Sequence, residues 1–143
     1  MAYLAGMAVQ VHFSEILNKP TRYAVPYEKV VNAIGISEGA LVIASDTHLG
    51  GAIKLLRPKS LVWVVDELHN EVPEYKFKEC MIVWRVRESN EDKMSSWLGQ
   101  LFGIEKAQRF IGLRKQLSVQ GENLNQRYNF SYVHIDCENM YQS

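Results

Sequence analysis

The sequence predicts an α/β fold of three layers, with helices on both faces of a mostly parallel central sheet and an antiparallel C-terminal edge. Three short apolar runs, at residues 40–44, 60–65 and 80–84, are each bounded by polar or turn residues, which is typical of strands covered on both faces. Segments with the apolar spacing of helices connect or follow these runs. From residue 114 onward apolar and polar residues alternate instead, which indicates an antiparallel pair of strands.

The length of 143 residues and a hydrophobic content of 47% fit one domain, 1–143, whose core needs neither a metal nor a disulfide. Apolar residues between positions 3 and 17 recur near helical spacing, so we expect a leading helix within residues 1–18, ended by Pro20. This helix is either the first element of the domain or the stump of a preceding membrane segment. No apolar run reaches the roughly 18–20 residues that cross a bilayer.

Proline and glycine residues mark the ends of the early elements. Pro26 suits the first turn of a short helix from Tyr27 to Ile34, and Gly35 is its expected stop. A second helix, over residues 48–56, lies between the first and second apolar runs. Strand, helix and strand over residues 40–65 predict a βαβ unit with parallel strands and a right-handed crossover.

The later part of the chain is predicted to hold one helix and two strands. Residues 89–90 begin the helix and Gly103 ends it. Its apolar face repeats at positions i, i+3, i+4, i+7 and i+8 and consists of Met94, Trp97, Leu98, Leu101 and Phe102. Residues 114–119 and 128–135 form the antiparallel pair, with a polar turn around Gly121.

Charge argues against nucleic acid as a partner. Sixteen lysine and arginine residues balance sixteen aspartate and glutamate residues, so the formal net charge is zero. Long-range attraction to nucleic acid or to an anionic lipid surface needs a concentrated basic field, which this sequence lacks. We therefore expect no nucleic-acid partner.

Cys80 and Cys137 are the two cysteines, which are too few for a disulfide framework or a zinc site. We interpret them as two buried free thiols. The alternative is a single bridge between neighbouring strands, which would imply an oxidising compartment.

Polar residues that follow the first and second predicted strands form the candidate binding site. Open α/β sheets bind ligands in the crevice at the carboxyl ends of their strands, where helix N-termini offer free N–H donors. Carboxylates there disfavour an anion, so we expect a neutral glycan or a polar loop as the occupant. The structural alternative is a capped helix start, with Asp46 placed favourably against the helix dipole. The candidate residues are Ser45, Asp46, Thr47, His48, Gly50, Gly51, Asp66 and Glu67.

Two features of this segment point in different directions. Gly50 and Gly51 destabilise a helix relative to alanine, which indicates either close packing or the close approach of a ligand.

Asp46 and His48 match the first metal-binding element of calcineurin-like phosphoesterases, Asp-x-His after a strand. A two-metal site needs several more ligands, and the sequence has no downstream Gly-Asp pair, Gly-Asn-His or Gly-His-x-His motif. We therefore expect no tightly bound divalent metal.

Other catalytic patterns are missing from the sequence. It contains no phosphate-binding Gly-x-Gly-x-x-Gly or Gly-Lys-Ser/Thr loop, and its one Gly-x-Ser-x-Gly match, at residues 35–39, precedes a predicted strand instead of following one, so it is not a nucleophile elbow. Asp66 and Glu67 are interpreted as solvated loop carboxylates, with paired acids as the alternative. The three tryptophans are interpreted as core residues rather than sugar-stacking platforms, and they are Trp63, Trp84 and Trp97. We expect no catalytic residue and no cofactor in this chain.

Taken in order, several segments resemble the extracytoplasmic C-terminal domain of bacterial membrane glycosyltransferases, similar to the dolichyl-phosphate-mannose protein mannosyltransferase and lipid A aminoarabinose transferase families. The resemblance covers roughly residues 13–135. Its matching segments are Pro-Thr-Arg-Tyr-Ala-Val-Pro-Tyr at residues 20–27, Gly-Ala-Leu-Val-Ile-Ala-Ser at 39–45, Leu-Gly-Gly-Ala-Ile-Lys-Leu-Leu-Arg-Pro at 49–58 and Tyr-Asn-Phe-Ser-Tyr at 128–132.

The resemblance implies a parent enzyme that transfers sugar, with inversion, from a polyprenyl-phosphate-linked donor. The catalytic acid of that family lies in a loop of the membrane portion, so no catalytic residue carries over to this chain. What it implies here is a non-catalytic accessory domain on the extracytoplasmic side of a bacterial membrane, which contacts the membrane portion and helps to position a glycan acceptor. The alternatives are a free-standing, cytoplasmic small-molecule-binding or protein-interaction module, and a complete small enzyme.

Overall fold

A computed structural model of the chain describes residues 25–65, 77–87, 90–123 and 125–141. The predicted helix within residues 1–18 lies outside the described residues. The elements, in chain order, are α1 (Tyr27–Ile34), β1 (Leu41–Ala44), α2 (Thr47–Leu56), β2 (Leu61–Val64), β3 (Cys80–Arg85), α3 (Asn90–Phe102), α4 (Ile104–Gly112), β4 (Lys115–Gln120), β5 (Arg127–Ile135) and α5 (Cys137–Tyr141).

The strands form one five-stranded mixed sheet of order β2-β1-β3-β5-β4. β1 lies between β2 and β3 and is parallel to both, with Leu41 opposite Leu61 on one side and Cys80 on the other. β5 is antiparallel to β3 and to β4. The three apolar runs are neighbouring strands and the antiparallel pair lies at one edge, as predicted. The sheet is mixed rather than mostly parallel, because two pairings are parallel and two are antiparallel.

Local signals begin or end three of the helices at the residues that the sequence predicts. Gly35 follows α1 with a φ of 80°, a left-handed conformation that glycine adopts without strain, and its N–H bonds the carbonyl of Val31 at 3.1 Å. Asp46 caps α2, because its Oδ1 accepts from the N–H of Leu49 at 2.8 Å. Gly103 follows α3 with a φ of 96°.

Alternating side chains of the strands belong to two apolar clusters. Val42, Ala44, Met81 and Val83 pack with residues of α1 and α2. Leu41, Ile43, Ile82 and Trp84 pack with residues of α3, α4 and α5. This alternation is the period of two that a strand imposes, and it explains why the apolar runs of β1 and β3 are continuous.

The tryptophans are core residues, as predicted. Trp63 and Trp84 are buried, and Trp97 is a half-buried residue of the same cluster. The rings of Trp63 and Trp97 meet edge to face, with centroids 6.4 Å apart.

Two helices were not predicted. α4 begins directly after Gly103, where the sequence suggested only the end of a helix. It buries Ala107 and Phe110, and its apolar residues Ile104, Ala107, Phe110 and Ile111 recur at helical spacing, so the sequence does carry the signal of a short helix here. α5 has five residues and follows β5 after Asp136, whose Oδ1 accepts from the N–H of Glu138 at 3.1 Å.

The cysteines form a disulfide, so the interpretation as two free thiols is wrong. Cys80 begins β3 and Cys137 begins α5, and their Cα atoms are 5.2 Å apart across a sequence separation of 57. The pairing of β3 with β5 explains the contact, because Cys80 lies opposite Ile135, two residues before Cys137. The bridge joins β3 to α5, the helix that follows the neighbouring strand β5. It does not join two neighbouring strands, which was the alternative.

Over the described ranges, no helix has both the length and the apolar character needed to span a membrane.

Candidate functional site

The sheet has two ends, which differ in their polar groups. We call the end where β1, β2 and β3 finish the carboxyl end, and the end where they begin the amino end. α1 and α2 run back along the sheet, so Tyr27 lies at the carboxyl end, while Ile34 and Arg57 lie at the amino end. Open α/β sheets bind ligands at the carboxyl end, which contains most of the predicted residues.

Ser45 and Asp46 together build the cap of α2. The hydroxyl of Ser45 donates to Oδ2 of Asp46 at 3.2 Å and accepts from the backbone N–H of Arg85, also at 3.2 Å. Ser45 is buried, so its hydroxyl is not open to a ligand. Both carboxylate oxygens of Asp46 are engaged, one by Ser45 and one by Leu49. The pair therefore supports the structural interpretation of this segment, a capped helix start.

Gly50 is a packing residue. A Cβ placed there would lie 2.7 Å from Cγ2 of Val64 and 3.3 Å from Cγ1 of Val62, so the glycine lets α2 approach β2 closely. Of the two explanations for the Gly50-Gly51 pair, close packing holds for the first glycine. Gly51 is half-buried, and Thr47 and His48 are exposed at the start of α2. Asp66 and Glu67 lie outside the described residues.

The structure brings further residues to this end that the sequence analysis missed. Arg85 ends β3, and the ladder continues one step further because the N–H of Val86 bonds the carbonyl of Asn129 at 2.8 Å. That register places Arg87 beside Tyr128. The guanidinium carbon of Arg85 lies 5.1 Å from the centroid of the Tyr128 ring. We call Tyr27, Asp46, Arg85, Arg87 and Tyr128 the tyrosine–arginine cluster.

Tyr27 is the most buried member of this cluster, with 4% of its surface exposed. Burial, and then the nearby carboxylate of Asp46, raise the pKa of Tyr27 to about 12, while Arg85 and Arg87 act in the opposite direction. The phenol thus stays protonated and remains a donor at neutral pH. Within the described ranges its hydroxyl has no hydrogen-bond partner.

Arg85 is half-buried at the rim of the same cluster. Burial, and next the neighbouring Arg87, lower the pKa of Arg85. No carboxylate in the described part of the chain forms an ion pair with its guanidinium. The prediction of a neutral occupant counted the carboxylates at this end and omitted these two arginines. Among the described residues of the cluster, the two guanidinium groups lie near one carboxylate, that of Asp46.

Polar groups at the amino end are bonded to one another. The hydroxyl of Ser37 donates to Oε2 of Glu79, and Nδ1 of His134 lies 3.4 Å from Oε1 of the same carboxylate. Nε2 of His134 is 3.3 Å from the carbonyl oxygen of Ile34. Glu38 accepts from the N–H of Lys59 at 2.7 Å. Serine contacts the carboxylate rather than the imidazole, so this constellation is not a nucleophile–base pair.

Arg57 closes the amino end from α2. Its Nε donates to the carbonyl of Ile36 at 2.6 Å, and its Nη2 donates to Oδ1 of Asn32 at 2.9 Å. These bonds tie the end of α2 to α1 and to the loop after it. The arginine thus has a structural role.

Metal ligands do not converge anywhere in the described ranges, where no three histidine, cysteine, aspartate or glutamate residues form a group that could hold an ion. The carboxyl end instead presents donors, namely the phenol of Tyr27, two guanidinium groups and the first turn of α2. Such a set can bind an acceptor-rich group. The signal that could have revealed it is the alternation Met81, Val83 and Arg85 on one face of β3, with Arg87 following at the same spacing just beyond the end of the strand.

Comparison of the chain with protein-family models, with curated proteins and with solved structures found no match in any of the three.

Proposed function

We propose that this chain is a non-catalytic accessory domain of a polyprenyl-phosphate-sugar-dependent membrane glycosyltransferase, placed on the extracytoplasmic side of a bacterial membrane. Its partner there is the membrane portion of the parent enzyme, and its task is to help position the acceptor. The proposal starts from the resemblance over residues 13–135.

The observation that carries the placement is the disulfide between Cys80 and Cys137. Disulfides persist in oxidising compartments and are rare in the bacterial cytoplasm, so a buried bridge supports the extracytoplasmic side over the cytoplasmic alternative. The non-catalytic role is supported by the carboxyl end of the sheet, where Ser45 is buried and both oxygens of Asp46 accept hydrogen bonds within the fold.

We infer that the two apolar clusters are the two interfaces of a three-layer arrangement, with α1 and α2 on one face of the sheet and α3 and α4 on the other. Strand residues that alternate between the clusters support this. An experimental structure that leaves one face of the sheet bare would contradict it.

Two experiments test the proposed function. Reading the genomic sequence upstream of Met1 should find several hydrophobic spans in the same frame, whereas an in-frame stop codon there would overturn the proposal. In the native host, membranes from a strain that lacks residues 25–141 should transfer less sugar from the polyprenyl-phosphate donor. Equal transfer by both strains, at equal amounts of enzyme, would remove the accessory role.

The compartment is tested separately. When the protein from intact cells is denatured, Cys80 and Cys137 should react with maleimide only after a reductant is added. Labelling without reductant in the denatured protein would place the chain in a reducing compartment and favour the cytoplasmic binding module.

A further inference from the structure

The tyrosine–arginine cluster contains more hydrogen-bond donors than the described residues satisfy. Tyr27 has only 4% of its surface exposed, and its hydroxyl has no acceptor among them. A buried donor without an acceptor is unfavourable, and such groups in folded proteins are usually explained by a bound water, ion or ligand.

The guanidinium groups add to this unmet capacity. Arg85 is half-buried and contacts the ring of Tyr128 rather than a carboxylate. Arg87 lies two residues beyond the end of β3, opposite Tyr128 if the register continues, and is exposed. Each guanidinium has a planar fork of N–H groups that suits two oxygens of one anion. Arg85 and Arg87 also repel each other, which an anion between them would relieve.

Asp46 does not serve as that anion. Its Oδ1 accepts from the N–H of Leu49 in the helix cap and its Oδ2 accepts from the hydroxyl of Ser45, so both oxygens already accept hydrogen bonds within the fold. The cap lies at the first turn of α2, a helix of ten residues whose positive dipole end faces the same side of the sheet.

We propose that the tyrosine–arginine cluster is a binding site for a phosphate-type oxyanion, held by Arg85 and Arg87 and by the hydroxyl of Tyr27. A phosphate group is favoured over a carboxylate because two guanidinium forks and a phenol supply more donors than two carboxylate oxygens accept, whereas three phosphate oxygens accept them all. The inference goes beyond the proposed function, because it applies equally to an accessory domain and to a free-standing module.

Isothermal titration and amide chemical-shift mapping with glucose 1-phosphate, glucose and acetate on the full chain test this site. Glucose 1-phosphate should bind and shift the amides of Thr47, Arg85 and Arg87, while the other two probes should not. Shifts of equal size with glucose would favour a neutral glycan, and equal affinity for acetate would favour a carboxylate. Either result, or no binding of glucose 1-phosphate, would overturn the proposal.

Matched charge variants exclude non-specific attraction. Arg85→Gln should weaken the affinity for glucose 1-phosphate at least tenfold, while Arg109→Gln, which removes an exposed cation of α4, should leave it unchanged. Equal weakening in both variants would overturn the site. If Arg85→Gln fails to fold, the exposed Arg87→Gln replaces it, with the same expected loss of affinity.

The source of the phosphate is distinguished with vesicles. Chain bound to phosphatidic acid vesicles but not to phosphatidylcholine vesicles, and released by Arg85→Gln, would indicate a lipid headgroup. Binding of glucose 1-phosphate without vesicle binding would indicate a soluble phosphate ester. Both outcomes support the oxyanion site, and neither depends on the activity of a parent enzyme.

Discussion

At the amino end of the sheet Glu79 is engaged from both sides, by Ser37 and by His134, and Arg57 donates to two neighbouring segments. At the carboxyl end, the hydroxyl of Tyr27 and the guanidinium of Arg85 have no acceptor among the described residues. The amino end is thus assembled for stability. Polar groups that are satisfied within the fold hold it together, whereas those left unsatisfied mark the place where a ligand would contribute to stability.

The disulfide at the amino end should have the largest effect on stability. It closes a loop with a sequence separation of 57, and loop-entropy arguments put its contribution at about 4 kcal/mol. Replacing both cysteines by alanine should lower the free energy of unfolding accordingly, as measured by urea denaturation. Reductant should destabilise the wild-type protein and leave the double variant unchanged, and an equal effect on both would contradict the bridge.

Alkaline pH should probe the carboxyl end next. Because the pKa of Tyr27 is about 12 when folded and near 10 when unfolded, the folded state keeps its proton at higher pH. The stability is therefore full below pH 10 and declines by roughly 2–3 kcal/mol as the pH rises through 12. Urea unfolding of wild-type protein and of Tyr27→Phe, compared from pH 9 upward, isolates this contribution from the other tyrosines.

Tyr27→Phe also tests whether the hydroxyl is unpartnered. At pH 7 the variant should be as stable as the wild type or more stable, because it removes a buried donor without breaking a hydrogen bond. A loss of about 1 kcal/mol would instead indicate a satisfied phenol. That outcome would weaken the contrast between the two ends.

A matched pair of arginine variants compares the ends directly. Arg57→Met should cost about 1–3 kcal/mol, because it leaves the carbonyl of Ile36 and the amide of Asn32 without a donor. Arg85→Met keeps a long apolar stem and removes a half-buried, unpaired charge, so its stability should stay within about 1 kcal/mol of the wild type. Thermal unfolding of both variants, in buffer without phosphate or sulfate, gives the comparison. Equal losses would contradict it.

Gly50→Ala should show that the first glycine of the pair serves packing. The new methyl group would press against Val64, so we expect a loss of about 1–2 kcal/mol in urea denaturation. Gly112→Ala is the control, because a Cβ there meets nothing within 4 Å and alanine favours the helix. An unchanged or raised stability of Gly50→Ala would instead favour the other explanation for this glycine, the close approach of a ligand.

Most of the architecture could be predicted because its signals are local. Gly35 and Gly103 end helices, Asp46 caps one, and the three apolar runs are strands, of which β1 and β3 are buried and the edge strand β2 is partly buried. Each of these depends on the conformational preference of one residue or on a pattern of a few neighbours. α4 is the exception, because its apolar residues Ile104, Ala107, Phe110 and Ile111 do recur at helical spacing, but the helix has only nine residues and begins directly after the glycine that ends α3.

The candidate site was predicted only in part, because it combines residues from distant parts of the chain. Asp46 could be placed at the carboxyl end from its position after a strand. Tyr27, Arg85 and Tyr128 come from a helix start, a strand end and the beginning of an antiparallel neighbour, and they meet only once β3 is paired with β5.

By itself the sequence determined the single sheet, its parallel half, its antiparallel edge and the cap of α2, because short-range sterics and side-chain hydrogen bonds act before any distant contact exists. Tertiary structure alone decided that Cys80 meets Cys137, that Gly50 touches Val64 and that two arginines share one end with a buried phenol. These contacts depend on strand register and on the direction in which helices return along the sheet, and neither is encoded by any one segment.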